Sequence, residues 1–295
     1  MDDQARDSGR PTEHLSAPAT LVDQPLTAAQ KRNLKRAIAT GLTLAALVIG
    51  LLIIGPKPFY GFAIVVILIA QAEFYKAVRN AGHDPATALG LVAGAVMLIG
   101  VFTRGEAAAG LVLFLTVAFC YIWYLALEPR KGVLKDIALT VLGVVYLAVP
   151  GSLVGLLAAR HDGLRVVITT IAAAAIYDII AYAAGSKLGK HPLAPSISPR
   201  KSREGAAAAT VGGIIGITTL AAILGPWNVT QAVVFAVMVV ILAPLGDLFE
   251  SLIKRDLGIK DMGTIFPGHG GALDRIDAIL FVLPAAYLSL KLFGL

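Results

Sequence analysis

The sequence predicts an all-α, polytopic integral membrane protein with about nine transmembrane helices and a cytosolic N-terminus. Three observations carry this. Mean hydropathy is +0.78, with 57% of the 295 residues hydrophobic and 15% charged; soluble domains carry about 25% charged residues. Apolar runs of about 20 residues recur, the length that crosses about 30 Å of hydrocarbon. The strict alternation of a membrane β-barrel is absent.

The expected spans are roughly 37–54, 59–77, 86–103, 107–127, 134–158, 164–185, 205–224, 229–250 and 277–294. Most joints carry a helix breaker: Gly55-Pro56, Asp84-Pro85, Glu128-Pro129 and Gly225-Pro226. The third and fourth spans are parted only by Thr103-Arg104-Gly105-Glu106. Residues 1–30 are polar and lack apolar periodicity, so a disordered cytosolic tail is expected there, followed by one membrane domain over 31–295. The basic cluster Lys31-Arg32-Asn33-Leu34-Lys35-Arg36 comes too late for a signal peptide, and the run behind it is long enough to span.

Alternating the nine spans from a cytosolic N-terminus puts twenty of the 25 Lys and Arg on the cytosolic side and five on the other. That is the positive-inside pattern, and it favours a cytosolic N-terminus with the C-terminus on the other side; a multi-pass protein of the cell membrane with its active site on the cytosolic side is expected. The net charge of +6 therefore marks cytosolic loops, not a nucleic-acid partner. Cys120 is the single cysteine, so no intrachain disulfide forms, and its apolar setting suits a small buried hydrophobe. No internal repeat stands out, which weighs against a transporter of duplicated halves.

Two cytosolic loops hold unusual chemistry. Before the first, Asp178 lies about seven residues inside the sixth span, about 10 Å deep at 1.5 Å per residue. An intramembrane carboxylate faces a cavity or a partner; the bland reading is a bond to a Ser, Thr or Tyr of a neighbouring helix. The loop itself includes Lys187, Lys190, Arg200, Lys201 and Arg203 against Glu204. Ser198 before Pro199 suits a helix N-cap, whose free N–H groups beside these cations suit a phosphate. Contact with anionic lipid headgroups explains the same charges. Small residues after Gly205 suit close helix packing, and a homodimer is compatible with them.

The second loop is framed by carboxylates. Asp247, Glu250, Ser251 and Lys254 fall at i, i+3, i+4 and i+7, one helix face. Asp274 and Asp277 share a face if the ninth helix starts there. Between them Gly258, Gly263, Pro267, Gly268, Gly270 and Gly271 forbid continuous helix. Six acids against four bases over 246–277 make the segment net acidic. It is therefore a platform for an oxygen-loving cation such as Mg²⁺, shared with substrate phosphates. Lys254, Arg255 and Arg275 can then neutralise phosphate oxygens, and His269, in Pro-Gly-His-Gly-Gly, can contact a phosphate or pass a proton. Composition and spacing thus point to metal-assisted chemistry on phosphates at a membrane face, without naming the reaction.

The stretch Ser251-Leu-Ile-Lys-Arg-Asp-Leu-Gly-Ile-Lys-Asp261 followed by Pro267-Gly-His-Gly-Gly-Ala-Leu-Asp-Arg-Ile-Asp277 resembles the phosphatidate cytidylyltransferase (CDP-diacylglycerol synthase) family. The family's hallmark is Ser-x-x-Lys-Arg, then Lys-Asp, then His-Gly-Gly-x-x-Asp-Arg-x-Asp. Asp178-x-x-Ala-Tyr182, Gly189-Lys190-His191 and Ile197-Ser198-Pro199-x-Lys201-Ser202-x-Glu204-Gly205 are similar to its second motif region. The match is strong over 177–277; mild departures fall at Ser186-Lys187, Arg200, Ser202 and Met262. The resemblance implies CTP plus phosphatidate giving CDP-diacylglycerol and pyrophosphate, with Mg²⁺ and a second cation such as K⁺ beside it. It implies Asp247 and Asp274 as principal metal ligands, with Asp277 and Glu250 supporting. Asp247, Asp274, Lys254, Arg275 and His269 are then the catalytic set. Asp178, Lys190, Ser198, Lys201, Ser202, Ser251, Arg255 and Lys260 are the expected substrate and phosphate contacts. A CTP-dependent polyprenol or phytol kinase and a membrane transporter are the alternatives.

Overall fold

The computed structural model describes residues 41, 43, 46–127, 131–263 and 270–295. The expected N-terminal tail, the start of the first expected span and His269 lie outside the described residues. Residues 46–54 are helical. Helix α1, Pro56–Asn80, follows, with proline in its first turn, where a missing N–H costs nothing. Helix α2, Thr87–Arg104, stops at Gly105, whose φ of 79° is the left-handed region that favours glycine. Helix α3, Ala107–Leu125, starts two residues later, so the four-residue joint read from the sequence does separate two helices.

The fifth expected span is one apolar stretch, Val133–Ala158, with a change of winding inside it. Helix α4, Val133–Gly143, passes through a π-turn at Val144–Ala148 into helix α5, Val149–Ala158. Pro150 in the first turn of α5 has no N–H to return to the preceding turn, and a locally wider helix accommodates the missing bond. Helix α6, Gly163–Leu188, leads into a short antiparallel hairpin of β1, Pro192–Ala194, and β2, Ser198–Ser202. Helix α7, Arg203–Leu224, returns. Helix α8, Val229–Asp256, opens on a reciprocal Asn228/Gln231 capping box. Helix α9, Leu273–Leu292, closes the described chain. Seven helical segments among the described residues are long and apolar enough to cross a membrane. The protein is thus a polytopic helical membrane protein with one hairpin added.

Helices α6, α7, α8 and α9 pack in succession, and α9 also lies against α1, α5 and α6. The joints sort to two ends of the bundle. At one end Glu106, between α2 and α3, receives Lys291 and Tyr287 of α9. Arg160, between α5 and α6, bonds Asp162 at 2.8 Å and the Leu295 carbonyl at 3.0 Å. At the other end the Tyr124 hydroxyl donates to the Asp84 carbonyl at 2.7 Å, and Asp136 accepts from the Asp84 N–H at 2.9 Å. That second end also carries the hairpin and the acidic helix ends.

At 28 residues, α8 is about 42 Å long at 1.5 Å per residue. A hydrocarbon layer of about 30 Å leaves about eight residues of it standing outside. Gly246 sits just before that projecting part. A Cβ there would come within 2.6 Å of the Asp277 carbonyl and 3.1 Å of Ala278 Cα, so α8 and α9 meet backbone to backbone. Gly246→Ala is expected to cost about 1–3 kcal/mol by overpacking and to depress activity. Gly61→Ala, where a Cβ meets open space, should be neutral or stabilising. Thermal unfolding of both variants in detergent checks this.

Candidate active site

The contact at Gly246 brings two acidic helix faces together. Asp247, Glu250, Ser251 and Lys254 lie along α8, and Asp274 and Asp277 on the first turns of α9. Helix α8 continues six residues past the expected end and α9 begins four residues early. Polar residues can extend a helix beyond hydrocarbon, where apolarity no longer marks its length.

Two lysines, one from each polar loop, enter the acidic cluster. Lys201 of β2 reaches the Asp247 carboxylate at 2.5 Å. Lys254 bridges Glu250 at 3.0 Å and Asp274 at 2.9 Å. This bridge is sheltered: the Lys254, Glu250 and Asp274 side chains are 15%, 1% and 9% exposed. Asp274 also accepts from the Gly271 N–H at 2.7 Å and the Met262 N–H at 3.1 Å. Asp277 neighbours Glu250 and is within electrostatic reach of Asp247. Ser251 is buried, with its hydroxyl 3.4 Å from Asp247. Asp178 is exposed on α6 and within reach of Asp247, Asp277 and Lys201.

The hairpin is tied down at both sides. Arg255 Nε donates to the Ile197 carbonyl at 3.1 Å. Glu204 accepts from the Lys190 and His191 N–H groups at 3.0 and 3.2 Å and meets His191 Nδ1 at 2.6 Å. Here the expected helix start is corrected. Ser198 does not cap a helix: residues 198–202 form β2, with Ser198 opposite Ala194. Ser202 caps α7 instead, its hydroxyl accepting from the Gly205 N–H at 3.1 Å. Arg203 N–H is also taken, by the His191 carbonyl at 2.8 Å. Pairing with β1 keeps 198–202 extended, and the Ala-rich run with Glu204 in its first turn favours a start at Arg203. The first-turn amides proposed for phosphate are therefore partly satisfied within the protein.

Lys190, Arg200, Arg203, Arg255, Lys260 and Arg275 are exposed around this end. Among the described residues no contact draws Lys260 to the carboxylates. Two carboxylate helix ends, ringed by cations and closed over by a hairpin, form a site for a polyanion at the mouth of a membrane bundle.

Comparison with known proteins fits this geometry. The model of the cytidylyltransferase family matches residues 35–293. The chain belongs to the cytidylyltransferase family. It is 34% identical to the phosphatidate cytidylyltransferase of Mycobacterium bovis over 302 residues, 97% of each chain. The same identity holds against that of Mycobacterium leprae over 88% of each. A phosphatidate cytidylyltransferase of Thermotoga maritima is 40% identical over 127 residues, 40% of this chain and 46% of that one.

Within this cytidylyltransferase no three acidic, His or Cys groups among the described residues enclose a metal ion. Lysine stands between the carboxylates. The donor set nonetheless fits a hard divalent cation. Four carboxylates face two ammonium groups, leaving two negative charges over. Glu250 Oε1 is buried without a hydrogen-bond partner beside Asp277. Buried carboxylates in contact need a proton or a cation between them, and all-oxygen ligands suit Mg²⁺-like ions.

Two residues at the site escaped the sequence reading. Tyr146, in the π-turn, packs edge-on against Phe249 at 4.9 Å and Phe281 at 6.3 Å, and its ring lies beneath the acidic cluster. Glu73 of α1 is buried against the turn that opens α9. Glu73 carried the signal that drew attention to Asp178, a carboxylate inside an apolar span.

Lys254→Met leaves Glu250 and Asp274 buried without their ammonium partner. A loss of about 3–5 kcal/mol is expected, read by unfolding in detergent, whereas Lys57→Met at an exposed position should change stability by less than about 0.5 kcal/mol.

Proposed function

We propose that the chain is a phosphatidate cytidylyltransferase, acting at the cytosolic face of the cell membrane with Mg²⁺. It joins CTP and phosphatidate into CDP-diacylglycerol and pyrophosphate. The observation that carries the reading is the cation-ringed pair of acidic helix ends at one end of a membrane bundle, in a chain that matches phosphatidate cytidylyltransferases along its length.

Asp247 and Asp274 are the residues to hold Mg²⁺, with Glu250 and Asp277 behind them. When bound, the ion lowers the repulsion between two phosphate groups and stabilises charge on the leaving pyrophosphate. The phosphatidate oxygen is already anionic and attacks the α-phosphorus of CTP without a strong base. A new P–O bond forms there as the bond to the β-phosphate oxygen breaks and pyrophosphate leaves with the electron pair. Lys201, Lys254, Arg255 and Arg275 position the phosphates, with Lys190 and Lys260 at the rim. Lys201 and Lys254 have a second duty, since they neutralise the carboxylates when no substrate is bound. Asp178 faces the same groove and orients the nucleotide. The diacyl tails enter between helices, while CTP arrives from the aqueous side. The positive-inside pattern supports that side being the cytosol.

Incubation of purified protein with labelled CTP and phosphatidate should release pyrophosphate and give a CDP-lipid. Asp247→Asn and Asp274→Asn should each lower turnover at limiting Mg²⁺ by about 100-fold or more, since loss of mere outer-shell partners already costs about 10–100-fold. Near-normal turnover in both would remove the metal assignment. CDP and a newly phosphorylated lipid alcohol as products would establish the kinase alternative.

A further inference from the structure

Glu73 lies on the part of the chain least like a catalytic domain, yet it reaches the first turn of α9. Its Oε2 accepts the Leu273 N–H at 3.1 Å, across 200 residues of chain. The Ala272 N–H lies within electrostatic reach of the same carboxyl. Glu73 is 6% exposed, and Ala272 and Leu273 are 2% and 0% exposed, so water cannot substitute for the acceptor. Gly263 and Gly271 press on Glu73 so closely that a Cβ on either would strike its carboxyl group.

The start of a helix leaves four N–H groups without intrahelical partners. At α9 one carboxylate from another helix and one from its own first turn serve this start, and the Arg275 N–H returns to the Ala272 carbonyl at 3.1 Å. Asp274 takes the Gly271 N–H at 2.7 Å on Oδ2, and its Oδ1 faces Lys254 at 2.9 Å. Glu73 takes the Leu273 N–H, two residues on. The orientation of Asp274 therefore depends on a turn that Glu73 holds from outside. Glu73 Oε1 is buried and has no hydrogen-bond partner, so one oxygen is enough for the anchoring.

We propose that Glu73 is a positioning residue of the active site: a hydrogen-bond acceptor that fixes the 271–273 turn and thereby aims Asp274 at the metal and substrate phosphates. This rests on Asp274 being a metal-holding carboxylate. Glu73 itself touches neither the reacting phosphates nor their cation. An acceptor role predicts that glutamine can replace it, because an amide oxygen still takes the Leu273 N–H.

The test uses the full-length enzyme in detergent, with Glu73→Ala, Glu73→Gln, Gly271→Ala and Asp274→Asn. Two quantities are read: the Mg²⁺ concentration for half-maximal activity, and amide hydrogen exchange over 270–275 without Mg²⁺. Glu73→Ala is expected to raise the Mg²⁺ requirement about 10-fold or more and to speed exchange at Ala272 and Leu273 about 10-fold or more. Glu73→Gln should stay within about threefold of the parent on both. Unchanged exchange in Glu73→Ala overturns the proposal, as does a Glu73→Gln variant as impaired as Glu73→Ala, which would mean charge matters. If Asp274→Asn shifts the Mg²⁺ requirement and Glu73→Ala does not, positioning is overturned while the metal reading stands. If exchange quickens but neither variant shifts the requirement, the metal reading fails and the anchoring of the turn stands. Should Glu73→Ala fail to fold, Gly271→Ala pushes the same carboxylate from the other side and must give the same two shifts.

Discussion

Helices α8 and α9 touch at their backbones beside Gly246, and much of the molecule answers to that contact. It sets Asp247 next to Asp277 and Glu250 at the edge of a low-dielectric bundle. Carboxylates so placed repel one another and are poorly solvated, so each must be given a cation or a donor. Lys254 comes from the same helix. Lys201 comes from a hairpin 46 residues earlier in sequence, and holding it there is what folds the first polar loop over the second. The hairpin, the Ser202 cap and the Glu204 contacts are then means of fixing one ammonium group.

The same reasoning gives the N-terminal helices a role. In lipid, apolar faces gain little from burial against one another, and association relies on close packing and polar contacts. Helix α1 supplies both. Tyr60 donates to the Leu98 carbonyl at 2.6 Å, Gln71 to the Gly90 carbonyl at 2.9 Å, and Tyr75 to the Thr140 carbonyl at 2.7 Å. Two residues on from Gln71, Glu73 extends this polar stitching to the opening turn of α9. The N-terminal helices thus brace the catalytic ones from behind.

Much of this was legible in the sequence. Hydropathy located the second to eighth spans, each matched by a described helical segment long and apolar enough to cross a membrane, because hydrocarbon demands long apolar helices. Helical period put Asp247, Glu250, Ser251 and Lys254 on one face, and a helix starting at Leu273 did the same for Asp274 and Asp277. Charge put a basic loop and a net-acidic segment on the same expected side of the membrane, and the structure joins them through Lys201 and Asp247. What was not legible came from tertiary choice. Ser198 and Ser202 are equally good caps locally, and pairing with β1 decided between them. Lys201 and Lys254 were read as phosphate contacts, and their ion pairs with Asp247, Glu250 and Asp274 are partners that the sequence did not name. Glu73 was passed over because its partner is a backbone N–H 200 residues away, which no side-chain pattern announces.

Tyr146, Phe249 and Phe281 lie inward of the carboxylates, each within 6.3 Å of the others by ring centre. Together they make an electrically insulating floor. In the proposed reaction ions and nucleotide come to the site from the aqueous side, while the hydrocarbon tails of a lipid come between the helices. A reaction that couples a water-soluble molecule to a membrane-bound one needs this separation of entrances. The floor also bears on traffic: an apolar aromatic layer makes it costly for a charge to pass from the carboxylates deeper into the bundle.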